Sequence, residues 1–227
     1  MKKGILIAIE GIDGSGKGTQ CKLLMDSLHK NGDMATLFQF PQYESSFFGK
    51  EVGDYLHGKY GNLEQVHPKF SALLYALDRF ESRDKIISSL DAGHIVICDR
   101  YSFSNIAHQS ARAPQNEKKS MAEWVSKVEY EILGLPTADL ILFLDSTTER
   151  SQELVSKKDK RIYTDKTHDI QESSNEHLSE ALIQFRALAE KEDWTVIPCL
   201  NSSNAMRSIS DIHQEILKYV TDFIKHR

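Results

Sequence analysis

Five short apolar runs are spaced along the chain, separated by polar or glycine-containing segments. They occupy residues 4–10, 34–40, 95–99, 140–145 and 194–199. Each run is almost continuously apolar rather than alternating, which is typical of strands buried on both faces of a sheet. The pattern therefore predicts five strands of a parallel sheet covered by helices.

Between these runs, apolar residues recur at every third or fourth position, which predicts amphipathic helices. The predicted helical stretches are 21–28, 70–77, 121–132, 178–189 and 209–223. Strands alternating with helices predict an α/β fold, a doubly wound five-stranded parallel sheet flanked by helices. Ligands of such sheets bind beyond the carboxyl ends of the strands, so the residues that follow each strand are the candidate site.

Composition narrows the class of protein. A length of 227 residues suits one domain, and we expect residues 1–227 to form it. The net charge of -5 argues against non-specific nucleic-acid binding as the main role. No apolar run approaches the roughly 20 residues needed to span a bilayer, and no signal-peptide core precedes the first strand. The three cysteines form no CxxC pair. These features predict a cytoplasmic protein with reduced thiols and no membrane partner.

A glycine-rich segment follows the first predicted strand and precedes the first predicted helix. Its Gly-x4-Gly-Lys spacing is that of a phosphate-binding loop, in which backbone N–H groups and a lysine hold the phosphates of a nucleoside triphosphate. Gly18 stands where a Ser or Thr usually follows the lysine, and Thr19 comes one place later. The predicted ATP-binding residues are Gly11, Ile12, Asp13, Gly14, Ser15, Gly16, Lys17, Gly18 and Thr19.

Two other strands end in an acid. Asp99 closes the third predicted strand and Asp145 the fourth. An acid in this place can hold magnesium directly or through water. We favour Asp99, because the adjacent Arg100 indicates a phosphate site. The alternative is that Asp99 and Arg100 form a structural ion pair. Since Gly18 removes one hydroxyl, Asp13 and Thr19 are the other candidates near the metal.

Four segments together resemble the thymidylate kinase family. They are the phosphate loop at 11–19, Phe-Pro-x-Tyr at 40–43, Leu-Leu-Tyr-x-x-x-Arg at 73–79 and Asp-Arg-Tyr-x-x-Ser-Asn-x-Ala-x-Gln at 99–109. Phosphate loops occur in many families, but the third and fourth segments are far more specific. The similarity extends to about residue 186 and is weak beyond it. The resemblance implies a phosphate-loop kinase that transfers the γ-phosphoryl group of ATP to dTMP with Mg²⁺.

The resemblance also implies a base site. Tyr75 and Arg79 lie four residues apart on one predicted helix and therefore face the same way. In the family these positions stack on thymine and bind its O4. The alternative is that Tyr75 belongs to the apolar stripe and Arg79 is a solvated charge.

Further dTMP-binding residues follow from the same resemblance. Arg100 would grip the monophosphate, and Phe40 and Tyr43 would line the phosphate and sugar. Asn105 would read the thymine edge with support from Ser104.

His108 stands where relatives often carry Tyr or Phe beside the deoxyribose. Its alternative interpretation is a partly buried, neutral histidine that makes one hydrogen bond. The thymine methyl gives only about 10- to 200-fold discrimination, so we expect weaker but detectable use of dUMP.

A polar segment at 156–171 contains Lys157, Lys158, Lys160 and Arg161. One interpretation is a solvated loop; the other is a mobile lid that closes over ATP. Because the phosphate loop has no arginine, the resemblance implies a cation from the lid, and Arg161 is the first candidate. It also places Gln171 near the sugar and Glu172 near the metal.

The predicted catalytic residues are Asp13, Lys17, Arg100 and Arg161, and the predicted metal-binding residues are Asp13, Asp99 and Glu172. No general base is required, because the oxygen of the monophosphate is already anionic. Asp13 would organise the 3′-hydroxyl or a magnesium-bound water. Family members are commonly homodimers, so we expect a homodimer that binds ATP and dTMP. The alternative functions are another nucleoside monophosphate kinase, such as an adenylate kinase, and a phosphate-loop nucleotide switch.

Overall fold

The computed structural model describes residues 3–151 and 175–227. Its sheet has five parallel strands in the spatial order β2-β3-β1-β4-β5. They are β1 (Ile5–Glu10), β2 (Ala35–Gln39), β3 (Ile95–Asp99), β4 (Leu140–Asp145) and β5 (Thr195–Pro198). The predicted α/β fold and five-stranded parallel sheet are confirmed.

Seven α-helices lie entirely within the described ranges. They are α1 (Lys17–Lys30), α2 (Phe47–Leu56), α3 (Pro68–Asp91), α4 (Ser102–Ala111), α5 (Lys118–Ser126), α6 (Asn175–Lys191) and α7 (Ile209–Lys225). A π-helical turn, Lys127–Ile132, continues α5. Neither α2 nor α4 was predicted from the apolar pattern. In α4, eight of the ten residues are buried, so no amphipathic stripe marks it. The short α2 contains Gly49 and Gly53, which weaken a helical pattern.

The central strand β1 is buried along its whole length because helices cover both faces of the sheet. Ile7 and Ile9 point to the face packed by α1 and α7. Leu6 and Ala8 point to the opposite face, where α3 supplies Ile86 and Leu90. The alternation of side chains along a strand explains why a continuously apolar sequence is needed here.

Strand β1 pairs with β3 on one side and β4 on the other, so the strand order reverses at its carboxyl end. Such a reversal opens a crevice, which is where open α/β sheets bind ligands. The phosphate loop begins at this point. No helix in the two described ranges has the length and apolar character to cross a bilayer.

Candidate active site

The phosphate loop turns sharply between β1 and α1. Gly14 and Gly16 have φ angles of 82° and 93°, which L-residues with side chains rarely adopt. A Cβ on Gly14 would also lie 2.1 Å from the carbonyl oxygen of Ser151. In the described part of the chain, no side chain caps the first turn of α1. Its N–H groups, at the positive end of the helix dipole, are therefore available to an anion.

Lys17 is held inside this loop and is only 6% exposed. Its Nζ donates to the carbonyl oxygen of Ile12 at 2.7 Å and lies 3.4 Å from Oγ of Ser15. Burial and the nearby Arg100 lower the pKa of Lys17 to about 8. A phosphate in the loop would offset both effects, because it places negative charge beside the amine.

Arg100 follows β3 and joins the loop to the neighbouring cleft. It has φ 65°, a conformation uncommon for a non-glycine residue and often found at functional sites. Its Nη1 donates to the Gly11 carbonyl oxygen at 3.0 Å and to Oγ of Ser104 at 2.9 Å. Its Nη2 donates to Oδ1 of Asp13 at 2.8 Å. Burial alone would raise the pKa of Asp13, but Arg100 and Lys17 hold it well below its usual range.

The two strand-ending aspartates differ in their surroundings. Asp99 accepts from Nε2 of Gln39 at 3.2 Å, and a Cβ on Gly18 would lie 3.0 Å from Oδ2 of Asp99. The glycine therefore lets this carboxylate lie against the start of α1. Asp145 instead accepts from Arg186 at 3.1 and 2.9 Å. The alternative of an Asp99–Arg100 ion pair is wrong, because the Arg100 guanidinium pairs with Asp13.

A magnesium site at the loop would rest on few protein ligands. No group of three or more His, Cys, Asp or Glu side chains in residues 3–151 and 175–227 is arranged to hold a metal ion. Magnesium bound to nucleotides usually takes one or two carboxylates and completes its shell with phosphates and water. The carboxylate of Asp99 against α1, with that of Asp13 in the loop, fits this requirement.

Beside the loop lies a cleft, here called the acceptor cleft, which encloses about 490 Å³ including space open to solvent. Its lining contains all nine predicted dTMP-binding residues that the structure describes. The lining residues are Asp13, Phe40, Pro41, Tyr43, Leu56, Tyr75, Arg79, Arg100, Ser104, Asn105, His108 and Gln109. Segments far apart in sequence thus converge on one cleft, with Arg100 and Asp13 marking its phosphate end.

Arg79 and Asn105 mark the other end, here called the base end. Arg79 is 1% exposed, so its interpretation as a solvated charge is wrong. Its Nε donates to Oε2 of Glu129 at 3.0 Å, and its Nη2 donates to Oε1. Nδ2 of Asn105 donates to the same Oε1 at 2.8 Å and to the carbonyl oxygen of Ala72 at 3.0 Å. Oδ1 of Asn105 is buried and has no partner among the described residues.

Aromatic side chains form the walls between these ends. Tyr75 meets the ring of Tyr55 edge-on, with centroids 6.4 Å apart. Phe40 is 5% exposed and packs against Tyr101, also at 6.4 Å. A planar ligand would therefore enter a slot with an aromatic surface, which suits a nucleobase.

His108 is more buried than the alternative interpretation of a partly buried, neutral histidine expected, and it also lines the cleft. Its Nδ1 lies 3.2 Å from Nε2 of His177, and its ring meets Phe185 edge-on at 5.7 Å. Burial, with Arg100 and His177 nearby, holds the pKa of His108 well below its usual value. Burial and Arg112 lower the pKa of His177 to about 4. One neutral ring therefore donates to the other.

Two buried acids that were not predicted from the sequence, Glu10 and Glu129, hold the site. Glu10 accepts from the backbone N–H of Tyr101 at 2.9 Å and of Ser104 at 3.3 Å, so it fixes the start of α4. Burial raises the pKa of Glu10. Glu10 could have been found in the sequence because it is an acid that ends an apolar strand, as Asp99 does. For Glu129 the signal was its position four residues after Val125, on the buried side of the helix.

Gln109 was quoted in the sequence motif without a role. Its Oε1 accepts from Ser71 at 2.8 Å and from Arg112 at 2.9 Å. Its Nε2 is buried and unpaired within the described residues, and it lines the acceptor cleft. The predicted lid at 156–171, with Arg161, Gln171 and Glu172, lies outside the described residues.

A phosphate loop at the switch point of a parallel sheet, beside a cleft lined by an arginine where it meets the loop, is the arrangement of a phosphate-loop nucleotide kinase. The family model described as thymidylate kinase matches residues 9–216. The chain belongs to the thymidylate kinase family. The recognition made from the sequence motifs is confirmed.

Similar proteins agree with this assignment. A thymidylate kinase of Arabidopsis thaliana is 30% identical over 223 residues, which cover 98% of this chain and 73% of that protein. A probable thymidylate kinase of Thermococcus onnurineus is 31% identical, with 95% of this chain and 97% of the relative covered. The structure of thymidylate kinase from Candida albicans superposes with a TM-score of 0.73 at 23% identity, covering 99% of this chain and 94% of that one. This last likeness supports the fold.

Proposed function

We propose that the protein transfers the γ-phosphoryl group of ATP to dTMP, giving dTDP and ADP in dTTP biosynthesis. Family membership supports this reaction, and the comparisons give no support to an adenylate kinase or a nucleotide switch. The observation that carries the proposal is the acceptor cleft. It joins a phosphate end at the loop to a base end with a donor and an unpaired acceptor.

At the phosphate end, Arg100 and Lys17 neutralise charge during transfer. Phosphoryl transfer spreads negative charge over the moving oxygens, so catalysis depends on positioning and electrostatic stabilisation. Arg100 already contacts both the loop carbonyl of Gly11 and the carboxylate of Asp13. The dTMP phosphate would accept the hydrogen bonds that Arg100 now donates to these two oxygens. It needs no general base, because its attacking oxygen is anionic.

At the base end, polarity favours thymine. Its O4 accepts a hydrogen bond and its N3–H donates one. The guanidinium of Arg79 donates, and Oδ1 of Asn105 accepts. Cytosine presents the opposite polarity at these two atoms, so it would leave both protein groups unpaired. Tyr75 would stack on the base, which stabilises binding by roughly 1–3 kcal/mol. His108 would lie beside the sugar, with Phe40 and Tyr43 between base and phosphate.

Bound magnesium would supply positive charge that neutralises and orients the β- and γ-phosphates. We assign Asp99 and Asp13 as the residues that would hold it, directly or through water. The position of Asp99 against α1 supports this assignment. Glu172 is a further proposed ligand from outside the described residues.

The proposed lid at 156–171 adds a cation to the reaction, and the absence of arginine from residues 11–19 motivates it. We predict that Arg161→Ala lowers kcat by about 100-fold while KM for dTMP changes only a few-fold. Steady-state kinetics check this split, with Lys157→Ala as the control from the same basic segment. Unchanged turnover of Arg161→Ala would contradict the assignment. Gln171 would contact the sugar after closure.

We further propose one kinase domain, a homodimer and a cytoplasmic location. Exposed aromatic side chains on two neighbouring helices support the dimer: Phe47 on α2 is 64% exposed and Phe70 on α3 is 68% exposed. Light scattering of the purified protein tests the dimer, because a monomeric mass would contradict it.

The function is tested by ADP formation from magnesium-ATP with dTMP, dUMP, dCMP and AMP as separate acceptors, beside a reaction without acceptor. We expect a strong preference for dTMP and weaker use of dUMP. A preference for AMP or dCMP would overturn the substrate assignment, and turnover independent of any acceptor would favour a nucleotide switch. Equal efficiency with dUMP and dTMP would contradict only the expectation that the protein distinguishes the thymine methyl group.

A further inference from the structure

Among residues 3–151 and 175–227, Glu129 is the one residue that hydrogen-bonds both groups of the base end. Its Oε1 accepts from Arg79 and from Nδ2 of Asn105, and its Oε2 accepts from Nε of Arg79. The side chain of Glu129 is fully buried, and the side chain of Arg79 is 2% exposed. Water therefore does not compete for these hydrogen bonds.

A carboxylate is unexpected at this position. Val125 and Met121, about one and two helical turns earlier on the same buried side, are apolar. Replacing a buried ion pair by apolar residues is often neutral or stabilising, so core packing alone does not account for Glu129. It also lies in the π-helical turn Lys127–Ile132, a distortion frequently found at functional sites.

The acceptor-only chemistry of Glu129 fixes the polarity of Asn105. A carboxamide can present either its oxygen or its nitrogen after a half turn. Here two acceptors, the Glu129 carboxylate and the Ala72 carbonyl, both face Nδ2. The unpaired Oδ1 is left for a ligand.

The same carboxylate fixes the orientation of Arg79. Glu129 takes Nε and Nη2, which is the two-pronged geometry that restrains a guanidinium most strongly. The nitrogen that Glu129 does not use, Nη1, belongs to a side chain that lines the acceptor cleft. One carboxylate thus orients a donor and an acceptor together.

We propose that Glu129 is the positioning residue that selects the base: it makes the cleft complementary to an imide edge, with a carbonyl beside an N–H, and unfavourable to the amidine edge of cytosine. This inference rests on the proposed transfer to dTMP and deepens it. Glu129 touches no substrate and acts through Arg79 and Asn105.

The test is Glu129→Gln, which keeps the shape but adds a donor that faces the donors of Arg79 and Asn105. We expect kcat/KM for dTMP to fall about 10- to 100-fold, mainly through KM. The ratio of kcat/KM for dTMP to that for dCMP should fall by at least about tenfold. KM for ATP should stay within about twofold. Glu131→Gln is the matched control, since Glu131 lies in the same turn and is exposed.

A purely structural role would lower thermal stability and reduce activity equally for both acceptors. An unchanged dTMP-to-dCMP ratio in Glu129→Gln would therefore overturn the inference. If Glu129→Gln does not fold, the variant Glu129→Asp tests the same inference. It keeps the acceptor character but shortens the reach to Arg79, so we expect KM for dTMP to rise at least about tenfold with KM for ATP unchanged. A Glu129→Asp variant with unaltered KM for dTMP would overturn the inference.

The wild-type acceptor series separates this inference from the proposed function. Wild-type preference for AMP or dCMP would refute transfer to dTMP itself. Wild-type preference for dTMP with the same ratio in Glu129→Gln would refute only the role of Glu129.

Discussion

The two ends of the acceptor cleft hold their arginines in opposite ways. At the base end, Arg79 is paired with one fully buried carboxylate that grips two of its nitrogens. At the phosphate end, Arg100 divides its donors among a loop carbonyl, a hydroxyl and Asp13, whose side chain is 32% exposed. The first arrangement fixes geometry, whereas the second leaves donors that can change partner when a phosphate arrives.

The expected energies of the two ion pairs support this difference between the ends. Removing one partner of a buried ion pair costs about 3–5 kcal/mol, so the pair of Arg79 and Glu129 persists through the reaction. The carboxylate of Asp13 is partly exposed and can be solvated when a phosphate takes its place, so this exchange leaves no buried charge without a partner. The base end should therefore determine affinity and base selectivity, while the phosphate end should determine the rate of transfer.

The largest effect is expected at the phosphate end. Arg100→Met removes the positive charge that would stabilise the phosphoryl group in the transition state. We predict a fall in kcat of about 100- to 1000-fold. KM for dTMP should change much less. Steady-state kinetics measure both constants. The control is Arg186→Met, which removes an arginine paired with the other strand-ending aspartate, Asp145, and should leave kcat within about threefold.

The next effect belongs to the base end. Tyr75→Leu removes the aromatic surface proposed to stack on thymine, and KM for dTMP should rise roughly 5- to 150-fold, corresponding to about 1–3 kcal/mol. Turnover at saturating dTMP should remain within a few-fold. Tyr219→Leu, at a 44% exposed position on α7, is the control. A loss of turnover without a change in KM would show that Tyr75 serves the transfer step.

A smaller effect concerns pH and the loop lysine. Burial and Arg100 hold the pKa of Lys17 at about 8 in the free loop, and a bound phosphate raises it by favouring the charged amine. Binding of ATP then takes up a proton when the pH exceeds about 8. By linkage, affinity is constant below that pH and falls above it, by about tenfold between roughly pH 7 and pH 9.

Equilibrium titration of the protein with ATP at both pH values measures this difference. Lys17→Met should bind ATP more weakly and show a flatter pH dependence. A wild-type affinity that does not change over the interval would contradict a role for Lys17 protonation.

Much of the fold could be predicted because its signals are local. Five apolar runs matched five strands within about two residues at each end, and the central strands β1 and β3 need an apolar composition because they are buried on both faces. Helix α4 could not be found this way, because a helix buried almost all round has no polar face to set a period.

The residues of the site also differ in whether a local sequence signal reveals them. Lys17, Arg100 and Arg79 stand in motifs with fixed spacing, so they could be singled out before the structure. The sequence places Glu129 on the buried side of its helix, but its role could not be predicted, because its contact with Arg79 spans 50 residues and depends on a π-helical turn. Glu10 likewise meets α4 only after β1 and β3 have paired.

The division of labour between the two ends is tested most directly by titrating dTMP in the same assay with Arg100→Met and Tyr75→Leu, at saturating magnesium-ATP. We expect Arg100→Met mainly to lower kcat and Tyr75→Leu mainly to raise KM for dTMP. If both variants shifted kcat and KM in the same proportion, the two ends would act as one unit and would have no separate roles.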